Sequence, residues 1–600
     1  MTTNEDRMKR ARHDRKHTSE RGFVMVMTML IVLVISSLVT AAVVVGSNHL
    51  LAHRYYERQS VLETSADAGL ELARARINGD PLVYPDSGYS VLESGAPVRD
   101  GDGVVIPGVQ RWLYAGPTGV TSGQYGFFGS VVSVVRDDGG GAAIRRSQIN
   151  QESFAKFAYF TDIEPTNISF GGGDVIFGPV HSNSELKIYS SGATFHGDVR
   201  TAKWVQGGGY GTFAQGYEEY VAPIPMPATA DLTKLQAQAA AGETSFMGDS
   251  NGLMGEATTR IEFMALDLNG DGDKTDPDEG FFRVYRSPNS DWVVGNVTTT
   301  TERVRVGKRW RTVMTTDMLT SQNCGWTDGI GVFRVAARFP PATAQAGLES
   351  ATRRCYLGGS DELNGGFVQT DANGAWVPWT GDRHPGLSGR ADAGFLFPLS
   401  RAYNPGFKGV IYVQGKVAIS GEVRGQVTVA ASDDIVLADD LVYATDPGAG
   451  TCQDIMGIFS GDKVVISDNT LNAPVSPAPG SAIRTYDDTK DEFFHGVILA
   501  LDIFTVENYG TGARIEEPCE ARLWGRGCIY LTGGIIQKIR GAVGTSAGTG
   551  GLKRYAYDPC AATSPPPYFP TTGHFVKGQY YHVDPTNFSV AAYYAQLTPG

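Results

Sequence analysis

The residues with the clearest capacity for chemistry lie in DLNGDGDKTDPDEG, residues 267–280. Asp267, Asn269, Asp271 and Gly272 stand at positions one, three, five and six of a D-x-[DN]-x-[DN]-G pattern, with Asp273 at seven and Asp278 at twelve. Oxygen ligands at alternate positions on a tight glycine turn suit a hard cation. The expected occupant is Ca2+, held by Asp267, Asn269, Asp271, Asp273 and Asp278. Its role would be structural, because the five Asp of this loop repel one another unless a cation neutralises them. Asp at the twelfth position, with Glu279 one step on, has a shorter reach than the usual bidentate Glu. The flanks IEFMALDL and FFRVYR are strand-like, so a helix-loop-helix hand is not expected, and a solvated acidic turn is the alternative.

Other constellations point less clearly to chemistry. Gly544 to Gly548 spells G-x-S-x-G, but a nucleophile elbow needs a strand before it and a helix after it, and GTSAGTGG continues as loop. The ten His show no metal-binding spacing; His181, His196 and His495 fall at strand edges, where structural roles are the rule. Asp433, Asp462 and Asp502 recur at equivalent places, as paired carboxylates do in polysaccharide lyases and hydrolases. Equivalent positions in successive repeats usually mark turns, however, so no catalytic residue is assigned.

Those Asp belong to a repeat. Ala431-x-Asp433-x-Ile435-x-Leu437-x-Asp439 recurs as Ser460-x-Asp462-x-Val464-x-Ile466-x-Asp468 and as Ala500-x-Asp502-x-Phe504-x-Val506-x-Asn508, preceded by Val429, Ile458 and Ile498. A looser copy runs through Val180, Ser182, Ser184, Leu186 and Ile188. Alternation at period two makes each copy a strand with one buried face, and a turn residue at a fixed place implies rungs stacked in register. The expected architecture is a mainly β chain built on a parallel, solenoid-like β-helix. The Pro-rich NAPVSPAPG, residues 472–480, would be a loop between rungs. PIPMPATADLTKLQAQAAAG reads as a link into a short helix near Asp231, opening an inserted α+β domain.

Before these repeats, VQRWLYA, GFFGSVVSVVR and DDGGGAAIRRSQI read as a small antiparallel sheet with a hairpin turning at Asp138 to Gly141. It follows a long helix. From Phe23 to His53 there is no Asp, Glu, Lys or Arg, enough to cross a bilayer, for which about 20 apolar residues suffice. Leu51, Tyr55, Leu62, Ala66, Leu70, Ala73 and Ile77 then recur at spacings of three, four and seven, so one continuous helix is expected, half in lipid and half against protein. Arg7, Lys9, Arg10, Arg12, Arg15 and Lys16 place the N-terminus in the cytoplasm and everything after residue 50 outside. The six Cys, at 324, 355, 452, 519, 528 and 560, all lie in that outer part, where disulfides form. Spacing does not choose among the pairings, although Cys519 and Cys528 are close enough to close a hairpin. The net charge is −13, and −16 without residues 1–22, which carry seven Lys/Arg against four Asp/Glu. Nucleic acid is therefore excluded as an expected partner, since binding it needs clustered positive charge.

RGFVMVMTML resembles the processing signal of type IV pilins and pseudopilins. The resemblance implies cleavage after Gly22 by a prepilin peptidase and methylation of Phe23. ADAGLELARARI, residues 66–77, is similar to the N-terminal helix end of PilX-type minor pilins. The fifth mature position, usually Glu in pilins, is Met27 here. A subunit without that carboxylate leaves a neighbouring N-terminal amine unpaired in an apolar core, which is costly and points to a rare or tip subunit. From Trp524 the chain resembles an uncharacterised family of exported β-rich proteins, through GGIIQKIRGAVGT, KRYAYDP and PPPYFP, with GPVHSNSELKI and FHGDV earlier.

Together these readings divide the chain into a leader (1–22), a transmembrane and amphipathic helix (23–77) and a small sheet region (78–160). A first solenoid part (161–204), an inserted domain with the acidic loop (205–400) and the main solenoid with the C-terminal region (401–600) follow. The expected function is that of a non-catalytic minor or tip pilin-like protein of the inner membrane and then of the pilus or cell surface, displaying a large β-helix domain for adhesion or filament assembly. Its expected partners are the membrane, prepilin peptidase, other pilin or pseudopilin subunits and a surface polysaccharide or protein ligand. The alternatives are a membrane-tethered carbohydrate-active β-helix enzyme and a pseudopilin-like component of a secretion system.

Overall fold

The computed structural model describes residues 5–85, 87–118, 126–248, 257, 259–286, 297–306, 309–318, 326–327, 333–334, 375–467, 492–507, 509–510, 515–517, 519, 525–526, 528–545 and 549–597, with backbone alone for 5–21 and most of 297–334. Cys324, Cys355, the Pro-rich segment 472–480 and Ser546 lie outside them. The chain forms two compact units: one from residues 1–117, 129–149 and 577–600, the other from 118–128 and 150–576.

The first unit is built on one helix, Glu5–Gly79. Every described side chain from Phe23 to Leu50 is exposed. Leu62, Ala66, Leu70, Ala73 and Ile77 are buried, whereas Leu51 and Tyr55, expected on the same stripe, remain exposed at 64% and 66% because the sheet begins to cover the helix only near Leu62. An antiparallel sheet in the order Ser90–Arg99, Val105–Pro117, Phe128–Asp137, Ala142–Ser153 and Thr571–Asp584 supplies the partner. The second hairpin turns where expected, with the Asp137 amide donating to the Gly141 carbonyl at 3.0 Å. Leu62 and Ala66 pack on Val98, Val109, Val135 and Ala143. Burying each large aliphatic chain here contributes about 1.5–3 kcal/mol. Gly69 permits the close approach: a Cβ at that position would stand 2.2 Å from the Ser133 hydroxyl. Buried Tyr594, on the C-terminal helix Val590–Leu597, donates to the Ser130 carbonyl at 2.9 Å and fixes that helix to the sheet.

The second unit is mainly β and parallel. One continuous ladder pairs Ser245–Met247, Val410–Gln414, Gln426–Ala431, Ile455–Ser460, Glu492–Val506, Cys528–Ile539, Tyr159–Ile163, Val180–Ser182, Val199–Thr201 and Tyr217–Glu219, each parallel to the next. The repeat read from the sequence is the register of this winding. Ala431 pairs Ser460, which pairs Ala500; Ile435 pairs Val464, which pairs Phe504; Leu437 pairs Ile466, which pairs Val506. Val429, Ile458, Ile498 and Ile535 fill the interior, while their neighbours Ala430, Phe459, Leu499 and Ile536 face outward into a second apolar layer. Leu232, Leu235 and Ala239 of the helix Thr229–Ala241 cover that outer layer. Both faces of these strands are therefore dry, as parallel sheets require.

The stacking order differs from the chain order. The chain enters the stack at Tyr159, winds to one end at Glu219, returns along the outer layer through residues 221–241, and restarts at Ser245 from the other end. It closes where Ile535 pairs Tyr159 and Arg554 pairs Val175. At that junction Arg540 bonds Glu164 at 3.1 Å, both buried, and lies 3.8 Å from the Phe170 ring centre; Lys553 pairs with Asp174 at 3.4 Å. Tyr159 and Thr161 hydroxyls also donate to Glu164, at 2.9 and 2.6 Å. Disulfides join Cys519 to Cys528, the pair read as a hairpin clasp, and Cys452 to Cys560.

Candidate functional site

The expected processing site, Gly22–Phe23, sits inside the long helix, with nothing within 4 Å of a Cβ placed on Gly22 and with Phe23 and Met27 exposed at 68% and 47%. The helix from Gly22 onward is long and apolar enough to cross a membrane, with a mean hydropathy of 2.7 in its most apolar window.

The acidic loop joins two antiparallel strands, Thr259–Ala265 and Gly280–Arg286, and is not flanked by helices. Its turn depends on Gly270 and Gly272 at φ of 77° and 95°, a conformation glycine adopts freely. Asp267 accepts from the amides of Gly270 and Gly272 at 2.7 and 3.0 Å. The Asn269 amide group donates to Asp271 and Asp276 at 2.9 and 2.8 Å, bringing three side chains together. Asp273 caps Thr275, and that hydrogen bonding lowers its pKa. Asp278 points instead to His384, 3.1 Å away. Asp276, which the spacing did not single out, has its pKa raised by desolvation and then by Glu279 and the neighbouring Asp. Buried Glu279 caps Leu268 and Asp276 at 2.8 and 3.0 Å. Arg424, itself buried, donates to the Thr275 and Asp276 carbonyls and pairs with Asp454 at 2.8 Å, anchoring the loop to the stack. The Asn269 side-chain nitrogen lies between Asp271 and Asp276 while its oxygen accepts from the Asp271 amide at 2.9 Å, so a hard cation between these carboxylates would have to displace that nitrogen; Asp267 and Glu279 hold the turn, and Asp278 is committed to His384. Beside the loop lies a groove of about 750 Å³ whose charged lining is Asp276, Arg401 and Arg424.

The recurrent Asp stand on one turn of successive rungs. Carboxylate oxygens of Asp433, Asp434 and Asp462 come within 4.8 Å of one another. Lys416 holds Asp434 at 2.7 Å, the Asp502 amide donates to the Asp462 carbonyl at 2.9 Å, and Asp462 is pushed up by burial and by Asp434. The groups gather at one turn of successive rungs, as stacked turn residues do. His181 stacks on Phe160 at 5.3 Å and His196 on Phe177 at 4.3 Å. His495 accepts from the Tyr443 amide at 3.0 Å, and burial lowers its pKa to about 4. His181 and His495 are packed as structural residues, whereas His196 and Phe177 form an exposed stack.

The sequence reading missed the end of the stack at residues 199–220. Phe195 stacks on Phe213 at 5.2 Å, and Phe213 meets Tyr217 at 4.8 Å, carrying the interior ring column to the surface. Trp204, Tyr210, Tyr217 and Tyr220 are exposed there at 45%, 58%, 47% and 71%. Their alternation is irregular, and only the knowledge that this rung is the last could have marked them.

Neither known family models nor the curated proteins include a match to this chain. Among solved structures, the competence-associated pilin ComZ from Thermus thermophilus is similar at 10% identity over 87% of this chain and 96% of that one, with a TM-score of 0.21. At that level of likeness, function is argued from the chain's own helix, loop and stack.

Proposed function

We propose that this protein is a minor, non-catalytic pilin-like subunit that is anchored in the inner membrane and then displays its large β-rich unit on a filament or the cell surface. The observation that supports this reading is the helix Glu5–Gly79. Its apolar segment from Phe23 is exposed throughout, while its continuation from Leu62 is buried in an antiparallel sheet. An anchor alone would need no rigid continuation into a folded unit. A helix with one lipid-compatible half and one sheet-bound half suits transfer from a bilayer into a bundle of similar helices.

On this reading, prepilin peptidase cuts after Gly22, Phe23 becomes the methylated N-terminus, and residues beyond 50 lie outside the cytoplasm. Met27 at the fifth mature position makes the subunit rare or terminal. Ca2+ in the acidic loop would stiffen the hairpin that holds it. The carboxylates on the Asp433 turn recur at one place in successive rungs, which favours a stacked turn over an enzymatic reading. The reading is tested by mass spectrometry of the mature N-terminus. Methylated Phe23 is the expected result, and an intact Met1 or cleavage at another bond would sink it.

A further inference from the structure

The last rung of the stack is unusual in how it ends. Among the described residues, Gly211–Phe213 pairs only with Ala193–Phe195, Tyr217–Glu219 only with Val199–Thr201, and Val205–Gln206 only with Leu186–Lys187. Open edges invite another strand, yet this one is guarded. Glu219 accepts from the Val205 amide at 2.7 Å, and the Gln215 side chain donates to the His196 carbonyl at 3.1 Å. The edge strands are three residues or shorter. A further rung from a second copy, or an added peptide strand, would therefore meet a template three residues long or shorter, with one amide and one carbonyl already occupied.

What the end does offer is ring faces. Tyr210 and Tyr217 both border the Gly207–Gly208 turn. A Cβ on Gly207 would lie 3.4 Å from the Tyr210 ring and 2.3 Å from the Ile188 carbonyl, and one on Gly208 would lie 3.5 Å from the Tyr217 hydroxyl. Gly207, at φ 75°, is thus required for the turn that presents them. Tyr220 and Trp204 flank Lys203, whose carbonyl accepts from the Tyr220 amide at 3.0 Å. The exposed rings are Tyr and Trp, which combine a flat apolar face with a hydrogen-bonding group. Arg200 lies between Asp198 at 2.7 Å and Glu218 at 3.6 Å, and with Lys203 and Glu219 beside them the end carries a small acidic excess.

We propose that this end, through Trp204, Tyr210, Tyr217 and Tyr220, is a stacking platform for a neutral polysaccharide. The axial C–H faces of an uncharged β-linked sugar chain lie on the rings, and its hydroxyls bond the ring-bound polar groups. The small acidic excess disfavours acidic polymers, and the short edge disfavours protein strands. The inference rests on the surface-display reading for its biological setting, but not for its test.

The full chain, purified in detergent micelles, is titrated calorimetrically with cellohexaose, chitohexaose and, as the charged control, hexagalacturonate. At least one neutral hexamer is expected to bind, with Trp204→Ala, Tyr210→Ala and Tyr217→Ala each weakening binding by about fivefold or more, as the loss of one stacked ring implies. Tyr217→Phe, which keeps the ring over Phe213, should stay within about twofold. Circular dichroism identical to the parent separates loss of binding from loss of fold. Failure of both neutral hexamers to bind, equal binding of hexagalacturonate, or affinities unmoved by the three Ala variants would overturn the proposal. So would concentration-dependent dimerisation abolished by Tyr210→Ala, which would assign the face to a second copy. Failure at this step leaves the N-terminal processing result untouched, and failure of that processing leaves this result standing.

Discussion

Removing Glu164 tests whether the stack is held closed where its last rungs meet its first. Glu164 is buried and accepts from Arg540, Tyr159 and Thr161, at 3.1, 2.9 and 2.6 Å. Glu164→Leu strands the Arg540 guanidinium in a dry interior against Phe170, at a cost of about 4 kcal/mol. It also leaves two hydroxyls without their acceptor, at about 1 kcal/mol each, for a total near 6 kcal/mol. Replacing both partners, Glu164→Leu with Arg540→Met, removes the stranded charge and should recover most of that loss, leaving a deficit of about 2 kcal/mol. The cycle should therefore show a coupling energy of about 3 kcal/mol or more between positions 164 and 540. Urea unfolding of the full chain, followed by tryptophan fluorescence and by proteolysis near Tyr159, reads it out. Costs that simply add, or a single substitution costing under about 1 kcal/mol, would refute the claim that this ion pair closes the junction.

Three further outcomes follow from specific contacts. His495 is held neutral in the fold with a pKa near 4, below its unfolded value near 6.5, so its contribution of about 3 kcal/mol is present above pH 6.5 and lost as pH falls toward 4. The slope of unfolding free energy over that interval should flatten in His495→Gln, and an unchanged slope would contradict the assignment. Gly69→Val should lower stability by about 2 kcal/mol through its clash with Ser133, whereas Gly79→Ala, with open space around it, should not; thermal melting compares them. Chelation with EDTA, and Asp271→Ala, should each lower the melting temperature of the Ca2+-loaded protein by a few degrees. No shift in either would count against Ca2+ in the loop.

Local pattern accounts for much of this architecture. The helix, its charge-free stretch and its buried stripe from Leu62 to Ile77 follow from period and composition within one segment. The rung register Ala431–Ser460–Ala500 follows from period-two alternation with a fixed turn Asp, because each strand must present the same face to the same core. The acidic loop's turn was legible by spacing as far as Asp271: Asp267 accepts from the Gly270 and Gly272 amides, and Asn269 meets Asp271. Beyond it, the fold turned Asp278 to His384 and brought in Asp276, since side-chain direction in a loop depends on what the loop packs against. The exposure of Leu51 and Tyr55 likewise depends on where the sheet starts, which helical periodicity does not contain.

Tertiary structure alone decided the order of the rungs. GGIIQKI and KRYAYDP, near the C-terminus, and GPVHSNSELKI, near residue 180, read as separate motifs of one resemblance. In the fold they are neighbours: residues 535–537 pair with 159–161, which pair with 180–182, and Arg554 pairs with Val175. A parallel strand shows the same alternation whichever rung lies beside it, so sequence determines which face is buried but not which strand is adjacent. The same ambiguity hid the aromatic end. Whether Trp204 and Tyr217 are covered or open depends on whether another rung follows, and that was fixed when the chain turned back at Val221 to begin the stack again at Ser245.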